Sequence, residues 1–210
     1  MRVKRSIVVG LSGVIGIGIA LLLTAVLWPK PRPTTPEGWV ALAEECSTSK
    51  RDYTADLTTT VYENSSLGNL TTQSAIEHAQ LRYTKKEGLK LKPGGGQFAF
   101  YVDIATMLKQ LRGKAQWKLE ETEQAIDGNK CVVVSAGGDR WQVRLWISHD
   151  DGAVLRYDQY LDSKCVAICH LEYGDKHQSV MLPRRIVTEF PVTHQVMDQT
   201  YASYTLSKGE

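Results

Sequence analysis

The pattern of apolar and polar positions divides the chain into stretches of different period. From Ser6 to Trp28 there is no charged residue, and most positions are Ile, Val, Leu, Ala or Gly. At about 1.5 Å of rise per residue, a helix of these 23 residues spans a hydrocarbon core of about 30 Å. From Glu37 a helical spacing begins, with Trp39, Val40, Leu42, Ala43 and Cys46 on one side of a predicted helix that Thr35-Pro36-Glu37 starts. From Asp52 the period drops to two. Tyr53, Ala55, Leu57, Thr59 and Val61 alternate with polar partners, and extended segments follow over Thr71–Thr84 and Leu89–Leu91, ending at Pro93 and Gly94-Gly95-Gly96. Asp103–Leu111 returns to helical spacing, with Ile104, Met107, Leu108 and Leu111 at i, i+3, i+4 and i+7.

The remainder is a meander. Lys114–Ile126 turns at Asp127-Gly128-Asn129 into Cys131–Ser135, and Gly137-Gly138-Asp139 leads to the alternating face of Trp141, Val143, Leu145 and Ile147. Asp150-Asp151-Gly152 and Asp162-Ser163-Lys164 are hairpin signals, and Arg185–Phe190 and His194–Leu206 complete the series. Eight or nine strands, two helices and no β-α alternation predict an α+β fold built on an antiparallel sheet and exclude a doubly wound one. A single sheet must bury its apolar face, and the two helices are the covers available. Leu57, Val61, Trp117, Leu119, Val143 and Leu145 are the candidate ligand-binding residues of that face. The bland alternative is that they form a filled core.

Composition changes this picture in one respect. Five of the 25 basic residues (Arg2, Lys4, Arg5, Lys30, Arg32) precede Glu37, whereas all 23 acidic residues follow from Glu37 onward. The body therefore carries 20 basic against 23 acidic residues, which removes the footprint of a nucleic-acid binder. The three basic residues ahead of the apolar run, against two behind it, favour a cytoplasmic amino terminus. The run is longer than the apolar region of a cleaved signal, and Ala25-Val26-Leu27-Trp28-Pro29 offers no small-residue cleavage motif. Residues 1–28 thus read as a transmembrane signal anchor, 29–36 as a proline-rich linker, and 37–210 as a domain on the extracytoplasmic (periplasmic or cell-surface) side of the membrane.

Cys46, Cys131, Cys165 and Cys169 fit that compartment as candidate disulfide partners. On a straight strand Cys165 and Cys169 lie roughly 13 Å apart, too far to bridge each other. Cys46 and Cys131 are then the remaining partners, and four buried thiols are the alternative.

The stretch "AIDGNKCVVVSAGGDRWQVRLWISHDDGAVLRYDQYLDSKCVAICHLEYG" followed by "MLPRRIVTEF" resembles the LolA-like lipoprotein-carrier superfamily, which includes the periplasmic sensor RseB (MucB). The likeness lies in a G-x-x-C-x-V strand, a strand ending in L-W-I, a D-x-G turn, an L-R-Y-x-x-Y strand and a Leu-Pro before a late strand, and it covers roughly Tyr53–Leu206. It implies a strongly curved half-barrel whose apolar concave surface takes acyl chains or a lipoprotein. Between Leu81 and Ala115 this chain is shorter than the family pattern.

Other chemistry finds little support. "CVAICH" exceeds the haem-attachment spacing by one residue, and a zinc site from Cys165, Cys169, His170 and His177 would need a knuckle rather than a strand. His149-Asp150-Asp151 serves a turn, and no G-x-S-x-G elbow, H-E-x-x-H or P-loop is present. The expectation is a non-enzyme without cofactor. It would bind or sense a lipid, lipoprotein or envelope protein; the alternative is a fully packed interaction or regulatory module that docks its partner on an edge or on aromatics such as Trp146.

Overall fold

The computed structural model describes residues 32–49, 51–63, 72–91, 103–113, 115–121, 124–174 and 181–207. The apolar run Ser6–Trp28, residues 29–31 of the linker and the Gly94-Gly95-Gly96 stretch lie outside them. Among the described residues no helix is long and apolar enough to cross a membrane. The chain divides between Arg32 and Pro33 into two units, and the second, Pro33–Glu210, carries the architecture that follows.

Helix α1 spans Pro36–Ser47. The Thr35 hydroxyl accepts from the Gly38 N–H at 3.2 Å, Pro36 opens the first turn, and Trp39, Val40 and Ala43 face inward. Helix α2 spans Ile104–Arg112. Asp103 caps it by accepting from the Thr106 N–H at 3.0 Å, Lys109 and Arg112 occupy the last turn, and Ile104 and Leu108 are buried. Both helices occur where the spacing predicts them.

Eleven strands follow the predicted meander: β1 Tyr53–Glu63, β2 Thr72–Thr84, β3 Gly88–Leu91, β4 Trp117–Leu119, β5 Gln124–Ile126, β6 Asn129–Gly137, β7 Trp141–Ser148, β8 Val154–Leu161, β9 Lys164–Tyr173, β10 Pro183–Phe190 and β11 Gln195–Leu206. The expectation of eight or nine strands falls short. Lys114–Ile126 breaks into β4 and β5, which pair in turn with the two halves of β6, and Leu89–Leu91 is a strand of its own against β2. All pairings are antiparallel, in the order β3-β2-β1-β11-β10-β9-β8-β7-β6-β4, with β5 also on β6, so the sheet is open rather than a closed barrel. β1 and β11, the first and last strands of the chain, lie side by side, third and fourth in this order. Register shifts interrupt five of the pairings, for example at Gln159/Tyr160 and Trp146/Ile147, and such irregularities bend a strand and increase its twist.

The period of two sorts the sheet into two faces. On the helix-covered face, Leu57, Val134, Leu145, Ile147, Val154, Leu171 and Ile186 pack with Trp39, Val40, Ala43, Ile104 and Leu108 in one buried cluster. Helix α1 is fastened at the β7–β8 turn. There Gly152 has φ +78°, and a Cβ on it would lie 2.6 Å from Leu42 Cγ, so glycine serves both the turn and the close approach of the helix. The Trp39 ring stacks on His149 of the same turn at 5.7 Å between centroids.

Candidate functional site

The structure brings five of the six candidate ligand residues onto the helix-covered face. Leu57, Val61, Trp117, Val143 and Leu145 are all buried, Leu145 completely. Leu57, Trp117, Val143 and Leu145 belong to the cluster that α1 and α2 cover. Leu119 stands apart: it ends the three-residue edge strand β4 and is 44% exposed. The Trp117 indole N–H, although buried, has no hydrogen-bond partner among the described residues, an uncommon state for a core donor.

The space on this face lies elsewhere. A cavity of ≈ 40 Å³ opens where the C-terminal end of α1 meets the N-terminal end of α2, and Tyr53, Leu171, Tyr173, Leu182, Tyr201 and Tyr204 form much of its wall, with Asp103 its one carboxylate. Pockets that take drug-sized ligands measure roughly 300–1,000 Å³. As it stands, the cavity holds a few water-sized groups and no acyl chain.

The wall is uncharged apart from Asp103. Burial pushes the Tyr53, Tyr173 and Tyr204 phenols above their usual range, with the Asp103 carboxylate adding to the effect on Tyr53. Each stays a neutral phenol at neutral pH, and two are anchored, Tyr173 donating to the Val154 carbonyl at 2.9 Å and Tyr204 to the Pro183 carbonyl at 2.6 Å. The Tyr53 ring stacks on Tyr83 at 5.0 Å and meets Tyr204 edge-on at 5.7 Å. The sequence reading missed these tyrosines as a group. Tyr53 was legible as an inward position, but only the β1–β2 and β1–β11 registers gather the rings.

Helix α2 is held chiefly by the burial of Ile104 and Leu108, because its ion pair to α1, Arg112–Glu44 at 3.0 Å, has Arg112 more than half exposed and contributes little.

The disulfide expectation is corrected: Cys46, Cys131, Cys165 and Cys169 are all free thiols. Strand parity is the reason. Cys131 lies on the outer face with Val133 and Trp146, whereas Cys169 belongs to the helix-covered cluster and Cys46 sits on α1 above that face. The sheet therefore separates Cys131 from Cys46. Each sulfur has a local partner instead: the Asp151 carbonyl at 2.9 Å for Cys46, the Asn129 carbonyl at 3.4 Å for Cys131, the Ala167 carbonyl at 3.7 Å for Cys165 and the Thr188 hydroxyl at 3.2 Å for Cys169. Burial raises the thiols of Cys131, Cys165 and Cys169, the last to about 11, so they remain protonated and poorly nucleophilic at neutral pH.

Trp146 is likewise not an exposed docking aromatic. It is 3% exposed, its Nε1–H donates to Gln124 Oε1 at 2.8 Å, and the guanidinium groups of Arg144 and Arg156 lie over its ring at 5.0 and 4.6 Å. Those arginines are engaged in turn by bidentate pairs to Glu120 and Asp158.

No protein-family model and no curated protein matches the chain. Solved structures do. A LolA superfamily protein from Nitrosomonas europaea aligns with 85% of this chain and 96% of its own at 15% identity and a TM-score of 0.58. The fold is LolA-like. A DUF1329 family protein from Desulfovibrio piger follows, with 84% and 95% covered, 12% identity and a TM-score of 0.54. A Vibrio parahaemolyticus domain described as an outer membrane lipoprotein-sorting protein covers 81% and 93% at 10% identity, with a TM-score of 0.52. At these identities the likeness is one of fold. The covering helices and the apolar face of the LolA-like sheet are what this chain's own residues supply.

Proposed function

We propose that the protein is a membrane-tethered extracytoplasmic binding domain. Residues 1–28 would anchor it in a single pass, residues 29–36 would hold it off the membrane, and the helix-covered face would hold or sense a lipid, a lipoprotein or another envelope protein. One observation carries this reading: the apolar, tyrosine-walled cavity lies at the seam between the two covers, where displacement of a single short helix would extend it along the buried face. The state described here is closed. Opening moves α2 from the seam and lets an apolar chain take over the contacts that Ile104 and Leu108 make beneath it. The Trp117 N–H, without a partner among the described residues, is a donor that a ligand carbonyl or ester could satisfy in the open state. The LolA-like fold of lipoprotein-sorting relatives is compatible with such use and supports no catalytic role.

Native mass spectrometry of the full chain, gently extracted, tests the reading through co-purifying lipid. Arg112→Glu sharpens it by setting two carboxylates against each other at the α1–α2 contact, which should loosen α2 and raise the affinity for a fluorescent fatty-acid probe by about two- to fivefold. A protein that is repeatedly empty, and blind to the probe in both forms, would instead establish the packed interaction module, which the complete burial of Leu145 and its neighbours favours.

A further inference from the structure

The charge of the body is unevenly placed. Residues 82–91 carry four basic residues against one acidic, whereas the rest of the body from Glu37 onward carries 16 against 22. Strand pairing brings a fifth cation to those four. Arg51 stands just ahead of β1, whose Tyr53 pairs with Tyr83, while Arg82 pairs with Thr54 on one side and Lys90 on the other. Lys85 and Lys86 fill the β2–β3 turn, which the Glu87 N–H closes on the Thr84 carbonyl at 3.3 Å. Arg51, Arg82, Lys85, Lys86 and Lys90 are thus exposed together at one corner of the sheet.

These cations are treated differently from the arginines that follow. Every arginine from Arg112 to Arg185 holds a carboxylate. Arg51, Arg82, Lys85 and Lys86 make no ion pair with a described residue. Lys90 meets Glu87 at 3.3 Å with both side chains more than half exposed, and such a pair contributes little. Two further carboxylates are near: Asp52 accepts from the Lys85 N–H at 3.0 Å, and Asp103 caps α2. Five cations against three carboxylates leave a positive excess. Gathered cations repel one another and add no packing, so their placement fits an anion supplied from outside.

The corner adjoins the seam. Leu89 of β3 lines the tyrosine-walled cavity, and a Cβ on Gly88 would lie 3.6 Å from Thr106 Oγ1 of α2. A flat anionic surface can meet this corner alone, whereas a long polyanion tracking across the body would run onto its acidic remainder. We infer that the β2–β3 corner docks on an anionic phospholipid bilayer and so brings the mouth of the seam to the lipid. The inference rests on the membrane-tethered reading above: eight linker residues reach about 25 Å when extended, which keeps the body beside the surface. Clusters of about four to eight Lys and Arg suffice for such binding, each adding about a fivefold factor.

Lysine footprinting of the full chain, reconstituted in vesicles, tests it. A membrane-impermeant acetylating reagent is applied to vesicles of phosphatidylcholine alone and to vesicles with about one-third phosphatidylglycerol, and modified lysines are counted by mass spectrometry. In the anionic vesicles labelling of Lys85 and Lys86 should fall about fivefold and recover at about 0.5 M salt, with the exposed Lys118 and Lys164 as unchanged references. Lys85→Glu with Lys86→Glu, in an exposed turn, should leave thermal unfolding unaltered and remove the protection of Lys90. Equal labelling of Lys85 in the two vesicles overturns the inference, as does protection of Lys90 that survives the double substitution. Protection found in native membranes but absent from protein-free anionic vesicles also overturns it, in favour of an acidic polypeptide. A chain that floats with neutral vesicles upholds the tether whatever its lysines do, so the docking and the tethered reading fail separately.

Discussion

The helix-covered face behaves differently at its two ends. Beneath α1, the aliphatic side chains of Val134, Val143, Leu145, Ile147 and Val154 mesh with Trp39, Val40 and Ala43. At the seam with α2 the wall passes to Tyr53, Tyr173, Tyr201 and Tyr204, and ≈ 40 Å³ is left unfilled. Small branched side chains adjust to one another and reach native density. A tyrosine ring is rigid, and its hydroxyl must also reach an acceptor, as Tyr173 reaches Val154 and Tyr204 reaches Pro183. Satisfying the hydroxyls fixes the rings, and fixed rings do not close the last gap. The same face is therefore sealed where it is aliphatic and penetrable where it is tyrosine-lined.

A charge beneath α1 should break this contrast most severely. Leu145→Asp buries an unpaired carboxylate, at a cost of several kcal/mol against the roughly 5–15 kcal/mol that holds a domain folded. Circular dichroism should show loss of the cooperative thermal transition; survival of the fold would mean that this end opens to water. At the seam, Leu171→Ala should cost about 2–5 kcal/mol in chemical denaturation and enlarge the cavity, raising rather than lowering affinity for a small hydrophobic probe. If the probe is indifferent, the seam is not where apolar ligands enter. The mildest test is alkaline titration. Burial raises the folded-state pKa of Tyr53, Tyr173 and Tyr204 above the unfolded value near 10, so they favour the folded state below that pH, and the benefit is lost as pH rises beyond it. Tyrosinate absorbance should then rise in two stages, the second coincident with unfolding, and with the Cys169 thiol (raised to about 11) losing its proton over a similar range. A single stage near pH 10 would show the seam to be solvated.

Much of the architecture was legible because it depends on local periodicity. Thr35-Pro36-Glu37 marked the start of α1 through capping, and the spacing of Ile104 and Leu108 chose the buried side of α2. The alternation from Tyr53 to Val61 and from Trp141 to Ile147 named the inward positions, four of the six candidate ligand residues among them. The errors share a cause. Leu119 has the right parity, yet its strand ends there. Trp146 has the outward parity, yet two arginines from neighbouring positions cover it. Parity assigns a face; it does not say what else reaches that face.

What the sequence determined by itself, then, is the two helices, most of the strands and the face that each side chain's parity assigns, because capping and period are properties of consecutive residues. Tertiary structure alone decided which distant residues meet. β1 pairs with β11 across nearly the whole domain, which gathers Tyr53 and Tyr204, and β6 sends Cys131 to the side of the sheet away from Cys46. Register is set by long-range pairing and by bulges that a single strand does not announce, so the cavity and the separation of the thiols emerge only when the strands lie side by side.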